Sequence, residues 1–267
     1  MSAIRELRSK PRAIEAPSYA TWNTGAYLRE YYSRVEPTER HTLAFLHGAI
    51  ADLPRTARAL DFGAGPTLHH AITLAGRVGE VHVADLLPQN LREIRRWHMR
   101  ASDAHDWSGF TRETLRIEGV GATDADVSRR EALVRHRLTR IVSGDARRRN
   151  PLGEGAAKSY DCVTTFFCAD SATSSLGEWM RFMRNIIGLL APGGLLVLGA
   201  LRACEFWRID DARLPSACID ERHVQFLLDA EGFDRAEQDI RICNVPDQAP
   251  HGFDSILLVA ARARRVT

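Results

Sequence analysis

The residues best suited to bind a charged ligand follow the first short apolar run of the chain. They form the segment Leu60-Asp61-Phe62-Gly63-Ala64-Gly65-Pro66-Thr67, whose pattern predicts a strand, a glycine turn and the start of a helix. Glycines let the backbone approach a ligand closely, because a Cβ would occupy that space. A dinucleotide site would usually continue as GxGxxG, but Leu68 occupies the third glycine position. Asp61 instead favours a sulfonium cofactor, S-adenosylmethionine, whose cationic amino acid end it can hold directly or through a water.

Two further acids are predicted at the same edge of a sheet. Asp85 ends the second predicted strand about 20 residues beyond Gly65, where doubly wound folds place a carboxylate that accepts hydrogen bonds from both ribose hydroxyls. Asp145 follows the third predicted strand, where an adenine amino group needs an acceptor, although a loop or cap aspartate is the alternative interpretation. Ligands of open α/β sheets bind outside the carboxyl ends of the strands, and all three acids fall there.

The elements that position these acids alternate short apolar runs with amphipathic helices, as is typical of βα units on a parallel sheet. Strands are predicted at residues 58–62, 80–84, 139–143, 160–166 and 195–200, and an antiparallel pair at 237–243 and 255–261. Helices are predicted at residues 25–32, at 38–53 with Thr38 as N-cap, from near Pro66, from near Pro88, over 176–190, and from the cap Asp220 to Gly232. The polar stretch 103–137 is predicted to be an insertion.

Composition and charge exclude several classes of protein. The 267 residues are 45% hydrophobic and 26% charged, as in globular proteins, and a net charge of +2 is too small to indicate a polyanionic partner. The arginine clusters near 147–149 and 262–265 are interpreted as solvent-exposed surface, and phosphate contacts are the alternative interpretation. Five cysteines without zinc spacing favour reduced thiols, and no apolar run approaches the roughly 20 residues of a membrane span. We therefore expect a cytoplasmic monomer with a small-molecule partner and without a metal, nucleic acid or membrane partner.

Several segments together resemble one enzyme family. They are Tyr27-Leu28-Arg29-Glu30-Tyr31-Tyr32, Asp61-Phe62-Gly63-Ala64-Gly65-Pro66-Thr67, Asp85 with Asn90, Asp106-Trp107-Ser108, Phe166-Phe167-Cys168-Ala169-Asp170, Pro192-Gly193-Gly194, Gly199-Ala200-Leu201 and Phe206-Trp207. From about residue 27 to 261 the chain is thus similar to the nicotinamide, phenylethanolamine and thioether (NNMT/PNMT/TEMT) family of class I S-adenosylmethionine-dependent methyltransferases. The resemblance implies a Rossmann-like α/β fold, with a seven-stranded, mostly parallel sheet flanked by helices. Within one structural domain, it implies lid helices in residues 1–55 and a core in 56–267.

The resemblance also assigns residues to the site. For the cofactor it implies Tyr27, Tyr32, Asp61, Gly63, Gly65, Thr67, His69, Asp85, Leu86, Asn90, Asp145, Ala146, Phe166 and Cys168, with His69 standing where the family usually has a tyrosine. Tyr27 and Asp170 are implied as catalytic residues, and Asp170, Arg202 and Trp207 as contacts of the methyl acceptor. The alternative interpretations are ordinary helix packing for the tyrosines and a helix N-cap for Asp170.

The expected reaction is transfer of a methyl group to a small molecule, most simply to an amine or pyridine-type nitrogen. Two positions depart from the family, since Arg202 lies where amine methylators present an acid and Gly199 where the nicotinamide enzyme has an aspartate. An unpaired cation there would disfavour an amine and lower the pKa of a thiol. S-methylation of a thiol or thioether therefore stays the alternative, followed by a cofactor-binding module without catalysis.

Two other enzyme classes share parts of this pattern. An amino-methylating nucleic acid enzyme should carry an Asn/Asp-Pro-Pro-aromatic motif after the fourth strand, where this chain has Thr164-Thr165-Phe166-Phe167-Cys168. An NAD-dependent oxidoreductase is disfavoured by Leu68 and by the lack of a Tyr-x-x-x-Lys pair. Both classes are therefore set aside.

Overall fold

A central sheet of seven strands organises the structure, a computed structural model that describes residues 22–264. The strands along the chain are β1 Arg58–Phe62, β2 Glu80–Asp85, β3 Leu138–Ser143, β4 Tyr160–Phe166, β5 Leu190–Leu201, β6 Phe206–Ile209, β7 Ala212–Pro215, β8 Gln238–Asn244 and β9 Ser255–Arg262. The order across the sheet is β3-β2-β1-β4-β5-β9-β8, while β6 and β7 form a separate hairpin. Strands β1 to β5 are parallel, and β9 is antiparallel to β5 and β8. The predicted fold class is confirmed.

Helices cover both faces of the sheet. Within residues 22–264 they are α1 Thr24–Tyr31, α2 Pro37–Ala49, α3 His69–Arg77, α4 Pro88–His98, α5 Ser108–Ile117, α6 Asp124–Arg137, α7 Leu176–Ile187 and α8 Glu221–Ala230. Apolar residues of α1 to α6 pack against one face, and those of α7 and α8 pack against the other. Parallel strands buried on both faces need such a double cover.

Two helices begin at residues other than those predicted. Helix α2 begins at Pro37 with Glu36 as N-cap, and the Glu36 N–H donates to the Glu39 carboxylate at 3.0 Å. Thr38 is therefore inside the first turn, and its prediction as N-cap is wrong, because proline with its fixed φ takes the first helical position. Helix α3 begins at His69 rather than near Pro66. The Thr67 hydroxyl donates to the Ala64 carbonyl at 2.7 Å, so a separate turn precedes the helix.

The polar stretch between α4 and β3 folds as α5 and α6. Thr123 caps α6 in a reciprocal capping box with Asp126, which explains why a polar segment forms a stable helix. Trp107 and Phe110 from this region are fully buried in the core. The predicted insertion thus contributes to the same core as the sheet.

The carboxyl ends of the parallel strands β1, β2, β3 and β4 lie together at one edge of the sheet. Asp61 lies near the end of β1 and Asp85 ends β2, while Asp145 follows β3 and residues 167–170 follow β4, as the spacing predicted. Across the described residues 22–264, every helix is too short or too polar to span a bilayer.

Candidate active site

A cavity of 370 Å³ opens at these carboxyl ends. Its volume falls within the roughly 300–1,000 Å³ of small-molecule sites. Every residue that the sequence predicted for the cofactor lines it, namely Tyr27, Tyr32, Asp61, Gly63, Gly65, Thr67, His69, Asp85, Leu86, Asn90, Asp145, Ala146, Phe166 and Cys168. Trp207 also lines it, whereas Asp170 and Arg202 do not.

The glycine turn after β1 forms the floor of the cavity. Gly63 has a φ of 72°, and a Cβ added to it would lie 2.1 Å from the Sγ of Cys168. Gly65 has a φ of 61°, in the left-handed region that glycine adopts without steric cost. No side chain therefore fits at position 63, and the turn packs directly against the chain that follows β4.

Asp85 organises the wall between the glycine turn and α1. Its carboxylate accepts the N–H groups of Gly65 at 2.9 Å and Leu87 at 2.8 Å, and the amide of Asn90 at 3.0 Å. The Asn90 carbonyl oxygen in turn accepts the Thr24 hydroxyl at 3.0 Å, which ties α1 to this network. Burial raises the pKa of Asp85 against these hydrogen bonds, which act to lower it.

Asp61 is buried with one carboxylate oxygen unsatisfied. The Thr164 hydroxyl donates to its Oδ1 at 2.9 Å, while its Oδ2 has no hydrogen-bond partner among residues 22–264. Desolvation raises the pKa of Asp61 to about 7. A buried carboxylate with an open oxygen is suited to a cationic ligand, whose charge would return this pKa towards its ordinary value.

Asp145 holds the rim of the cavity together with Arg147. The Nε of Arg147 donates to Oδ1 at 2.8 Å and its terminal nitrogen donates to Oδ2 at 2.9 Å. This pairing lowers the pKa of Asp145. Asp145 is therefore ionised, and each of its two oxygens accepts a hydrogen bond from Arg147.

Aromatic rings from α1, from the residues that flank it and from the β6–β7 hairpin cluster on the cavity wall. The Tyr27 ring centroid lies 5.0 Å from that of Trp22 and 6.3 Å from that of Trp207. The Tyr27 hydroxyl lies 3.4 Å from the Tyr32 hydroxyl. Burial raises the pKa of Tyr27 to about 12, so its phenol keeps its proton at neutral pH.

Asp170 and Arg202 lie outside this wall. Asp170 is fully buried, and its Oδ2 accepts the Leu201 N–H at 2.9 Å. Burial raises the pKa of Asp170 to about 7. Arg202 instead pairs with Glu221 of α8, with 2.9 Å between Nε and the carboxylate. The cation on which the S-methylation alternative depended is therefore paired and does not reach the cavity.

The sequence pattern of the NNMT/PNMT/TEMT family matches residues 13–262. The chain belongs to this family. Phenylethanolamine N-methyltransferase of Homo sapiens is 29% identical over 261 residues, which cover 92% of this chain and 89% of that protein. The same enzyme of Bos taurus is 30% identical over 232 residues, covering 81% and 79%. Nicotinamide N-methyltransferase of Sus scrofa is 26% identical over 219 residues, covering 79% and 82%.

Solved methyltransferase structures share the fold of this family member at low identity. The CurJ carbon methyltransferase has a TM-score of 0.58 at 14% identity, with 92% of this chain and 60% of that chain covered. The 1,6-didemethyltoxoflavin N1-methyltransferase of Burkholderia thailandensis has a TM-score of 0.54 at 18% identity, with 94% of each chain covered. The family member is an S-adenosylmethionine-dependent methyltransferase that acts on a small molecule, as the sequence predicted.

The residues of the cavity are chemically suited to that cofactor. The open, buried Oδ2 of Asp61 matches a cationic group, and the Asp85 carboxylate has lone-pair capacity left after its three hydrogen bonds. The strand order reverses between β1 and β4, with β2 and β3 beyond β1 and with β5 beyond β4. The cavity lies at this topological switch point, where open α/β sheets bind their ligands.

Trp22, His70 and Phe167 are among the residues of the wall that sequence reasoning did not name as site residues. His70 stacks on Phe166 with 3.9 Å between ring centroids, and burial lowers its pKa, so it is neutral. A Cβ on Gly199 would lie 2.3 Å from the Phe166 ring, so the glycine makes room for this stack. The sequence signals for two of these residues were the adjacent pairs His69-His70 and Phe166-Phe167. Phe167 also lies in one of the motifs shared with the family.

Proposed function

We propose that this family member methylates a nitrogen atom of a small molecule, either an amine or a pyridine-type ring. The observation that carries the proposal is the aromatic wall of Tyr27, Phe167 and Trp207, which shares one cavity with Asp61 and Asp85. Relatives support it, because they are named for N-methylation of phenylethanolamine and of nicotinamide. Apolar and aromatic walls with a few polar groups are typical of small-molecule sites.

The cofactor supplies an electrophilic methyl group on a sulfonium. For its binding we propose that the open oxygen of Asp61 takes the cationic amino acid end and that Asp85 accepts the ribose hydroxyls. Asp145 would accept an adenine amino group through lone pairs that Arg147 leaves available. The remaining proposed contacts of the cofactor are Tyr27, Tyr32, Gly63, Gly65, Thr67, His69, Leu86, Asn90, Ala146, Phe166 and Cys168.

For the acceptor we propose that Tyr27 and Trp207, whose rings meet edge to face with 6.3 Å between centroids, form a wall on which a flat molecule packs away from water. Alignment of the acceptor lone pair with the transferred methyl group is the main requirement of such a displacement. The Tyr27 phenol stays protonated, so it acts as a hydrogen-bond donor and not as a base. The Trp207 indole N–H has no partner within the described chain and offers a second donor.

The fate of the acceptor proton separates the two kinds of nitrogen. A protonated amine needs a base, for which sequence resemblance implies Asp170, yet this carboxyl is 0% exposed and bound to the Leu201 N–H outside the wall. A pyridine-type nitrogen carries no proton and needs no base. The geometry therefore favours a pyridine-type acceptor, with Asp170 fixing the end of β5. With Arg202 paired to Glu221, no comparable observation favours a thiol.

We further propose that the enzyme acts as a cytoplasmic monomer without a nucleic acid partner, with residues 1–55 as the lid and 56–267 as the core of one domain. Residues 1–21 and 265–267 of these ranges lie outside the described part of the chain. The five cysteines, all within residues 22–264, are free thiols, which is typical of a reducing compartment.

Release of S-adenosylhomocysteine from purified protein tests the proposed function against pyridines, primary amines and small thiols. We expect release with nitrogen acceptors, fastest with pyridines, and none with Asp85→Ala. Asp161→Ala, an exposed carboxylate at the opposite sheet edge, serves as the control and should match the wild type. Release with thiols alone would overturn the proposal.

A further inference from the structure

Two elements meet beside the cavity through contacts that the proposed reaction does not use. The Glu30 carboxylate on α1 accepts the backbone N–H of Asp210, at the tip of the β6–β7 hairpin, at 2.8 Å. The Tyr31 phenol next to it donates to the Arg208 carbonyl. His251 packs on the same corner, with its Nδ1 3.4 Å from Glu30. These contacts join helix α1 to the hairpin.

The hairpin needs such support. Each of its strands has 4 residues, and two-stranded hairpins are marginally stable by themselves. Asp210 has a left-handed φ of 47°, which is unfavourable for a residue with a side chain. The hydrogen bond from its N–H to Glu30 holds the tip in this conformation.

We propose that Glu30 is a positioning residue for the methyl acceptor, an inference that rests on the proposed seat of the acceptor at Tyr27 and Trp207. Trp207 lies in β6, the strand that ends just before Asp210, and it lines the cavity. Holding the hairpin tip therefore fixes the Trp207 ring in the wall.

The same helix reaches the cofactor side of the cavity. Thr24, in the first turn of α1, donates to Asn90 at 3.0 Å, and Asn90 donates to Asp85 at 3.0 Å. Glu30 lies in the last turn of α1. Helix α1 thus connects the acceptor wall to Asp85, the residue proposed to bind the ribose. Glu30 ties this helix to the hairpin.

Steady-state kinetics of Glu30→Ala test this role with a pyridine acceptor active on the wild type. We expect the acceptor KM to rise about tenfold, the effect of losing one charge-assisted hydrogen bond, while the Kd of S-adenosylmethionine stays within about twofold. Glu30→Gln keeps an acceptor oxygen and should recover most of the loss. The matched control is Asp161→Ala, because Asp161 also accepts a backbone N–H, that of Arg58, at 2.8 Å.

Hydrogen exchange of the amides of residues 206–215 gives a readout that does not depend on turnover. Faster exchange in Glu30→Ala than in Asp161→Ala supports the proposal when the acceptor KM also rises. Unchanged exchange, or faster exchange with an unchanged KM, overturns it. If the wild type methylates no nitrogen acceptor, the proposed function fails and this inference falls with it, whereas faster exchange would still establish the contact between Glu30 and the hairpin.

Discussion

At the amino-terminal edge of the sheet Glu80 is surrounded by partners, whereas at the carboxyl edge Asp61 has an oxygen with none in the described chain. Glu80 accepts hydrogen bonds from Arg58 at 2.6 Å and Thr139 at 2.7 Å, and its other contact is His82 at 2.9 Å. These partners lower the pKa of Glu80 to about 2, while burial raises that of Asp61 to about 7.

The difference separates a carboxylate whose two oxygens both have partners from one with an oxygen that has none among residues 22–264. Buried polar atoms nearly always have hydrogen-bond partners, so an exception calls for an explanation. The satisfied network joins the amino-terminal ends of β1, β2 and β3. Asp61 lines the cavity, and the cationic end of the cofactor is the partner that we propose for its Oδ2.

The largest effect is expected for Asp85→Ala at the carboxyl edge. Loss of two charge-assisted hydrogen bonds to the ribose, each contributing about 1.5 kcal/mol, should weaken S-adenosylmethionine binding by about a hundredfold. Isothermal titration calorimetry measures the Kd. A Kd within about threefold of the wild type would remove Asp85 from the proposed cofactor site.

Asp61→Asn should alter the pH dependence of stability. With a native pKa of about 7 and an unfolded pKa of about 3.9, Asp61 binds more protons in the native state between these values. The free energy of unfolding of the wild type should therefore fall as pH rises from about 4 to about 7, and the variant should lose less. Urea unfolding at about pH 5 and about pH 7.5 compares them. An identical change in both proteins would refute the assignment.

Glu80→Gln at the amino-terminal edge tests the opposite sign. Because the native pKa of Glu80, about 2, is depressed, its stabilisation is present above the ordinary pKa of a glutamate and is lost as pH falls towards about 2. At neutral pH the variant should unfold with about 1 kcal/mol less free energy. Its Kd for S-adenosylmethionine should equal that of the wild type. A weakened Kd with unchanged stability would reverse the comparison.

The smallest effect is expected for Arg202→Ala. Its ion pair with Glu221 is partly exposed, with 31% and 37% of the two side chains accessible, and such pairs contribute about 0–1 kcal/mol. The kcat/KM for a nitrogen acceptor should stay within about twofold. A loss above about tenfold would place Arg202 at the acceptor and restore the case for a thiol.

Local pattern was sufficient to predict most of the sheet. Strands β1, β2, β4 and β5 have dense apolar runs, and the acids at or just after the ends of β1, β2 and β3 lie at spacings that the parallel topology fixes. That these residues line one cavity could therefore be predicted. The β6–β7 hairpin escaped prediction because its residues 206–215 are mixed in polarity and depend on α1, a contact between distant parts of the chain.

The acceptor side was less predictable for the same reason. Whether Asp170 or Arg202 faces the cavity depends on partners remote in sequence, the Leu201 N–H and Glu221. The contact of His70 with Phe166 likewise depends on how α3 packs on β4. The sequence shows that these residues have side chains suited to binding or catalysis. Tertiary packing decides whether the side chains reach the cavity.

Calorimetric titration of S-adenosylmethionine in two buffers of different ionisation enthalpy tests the central claim most directly. If the open carboxylate of Asp61 receives the cationic end of the cofactor, binding below about pH 7 should release a proton from this residue. The proton release should disappear in Asp61→Asn and persist in Asp161→Asn. Binding without proton release in the wild type, or the same release in Asp61→Asn, would contradict the account.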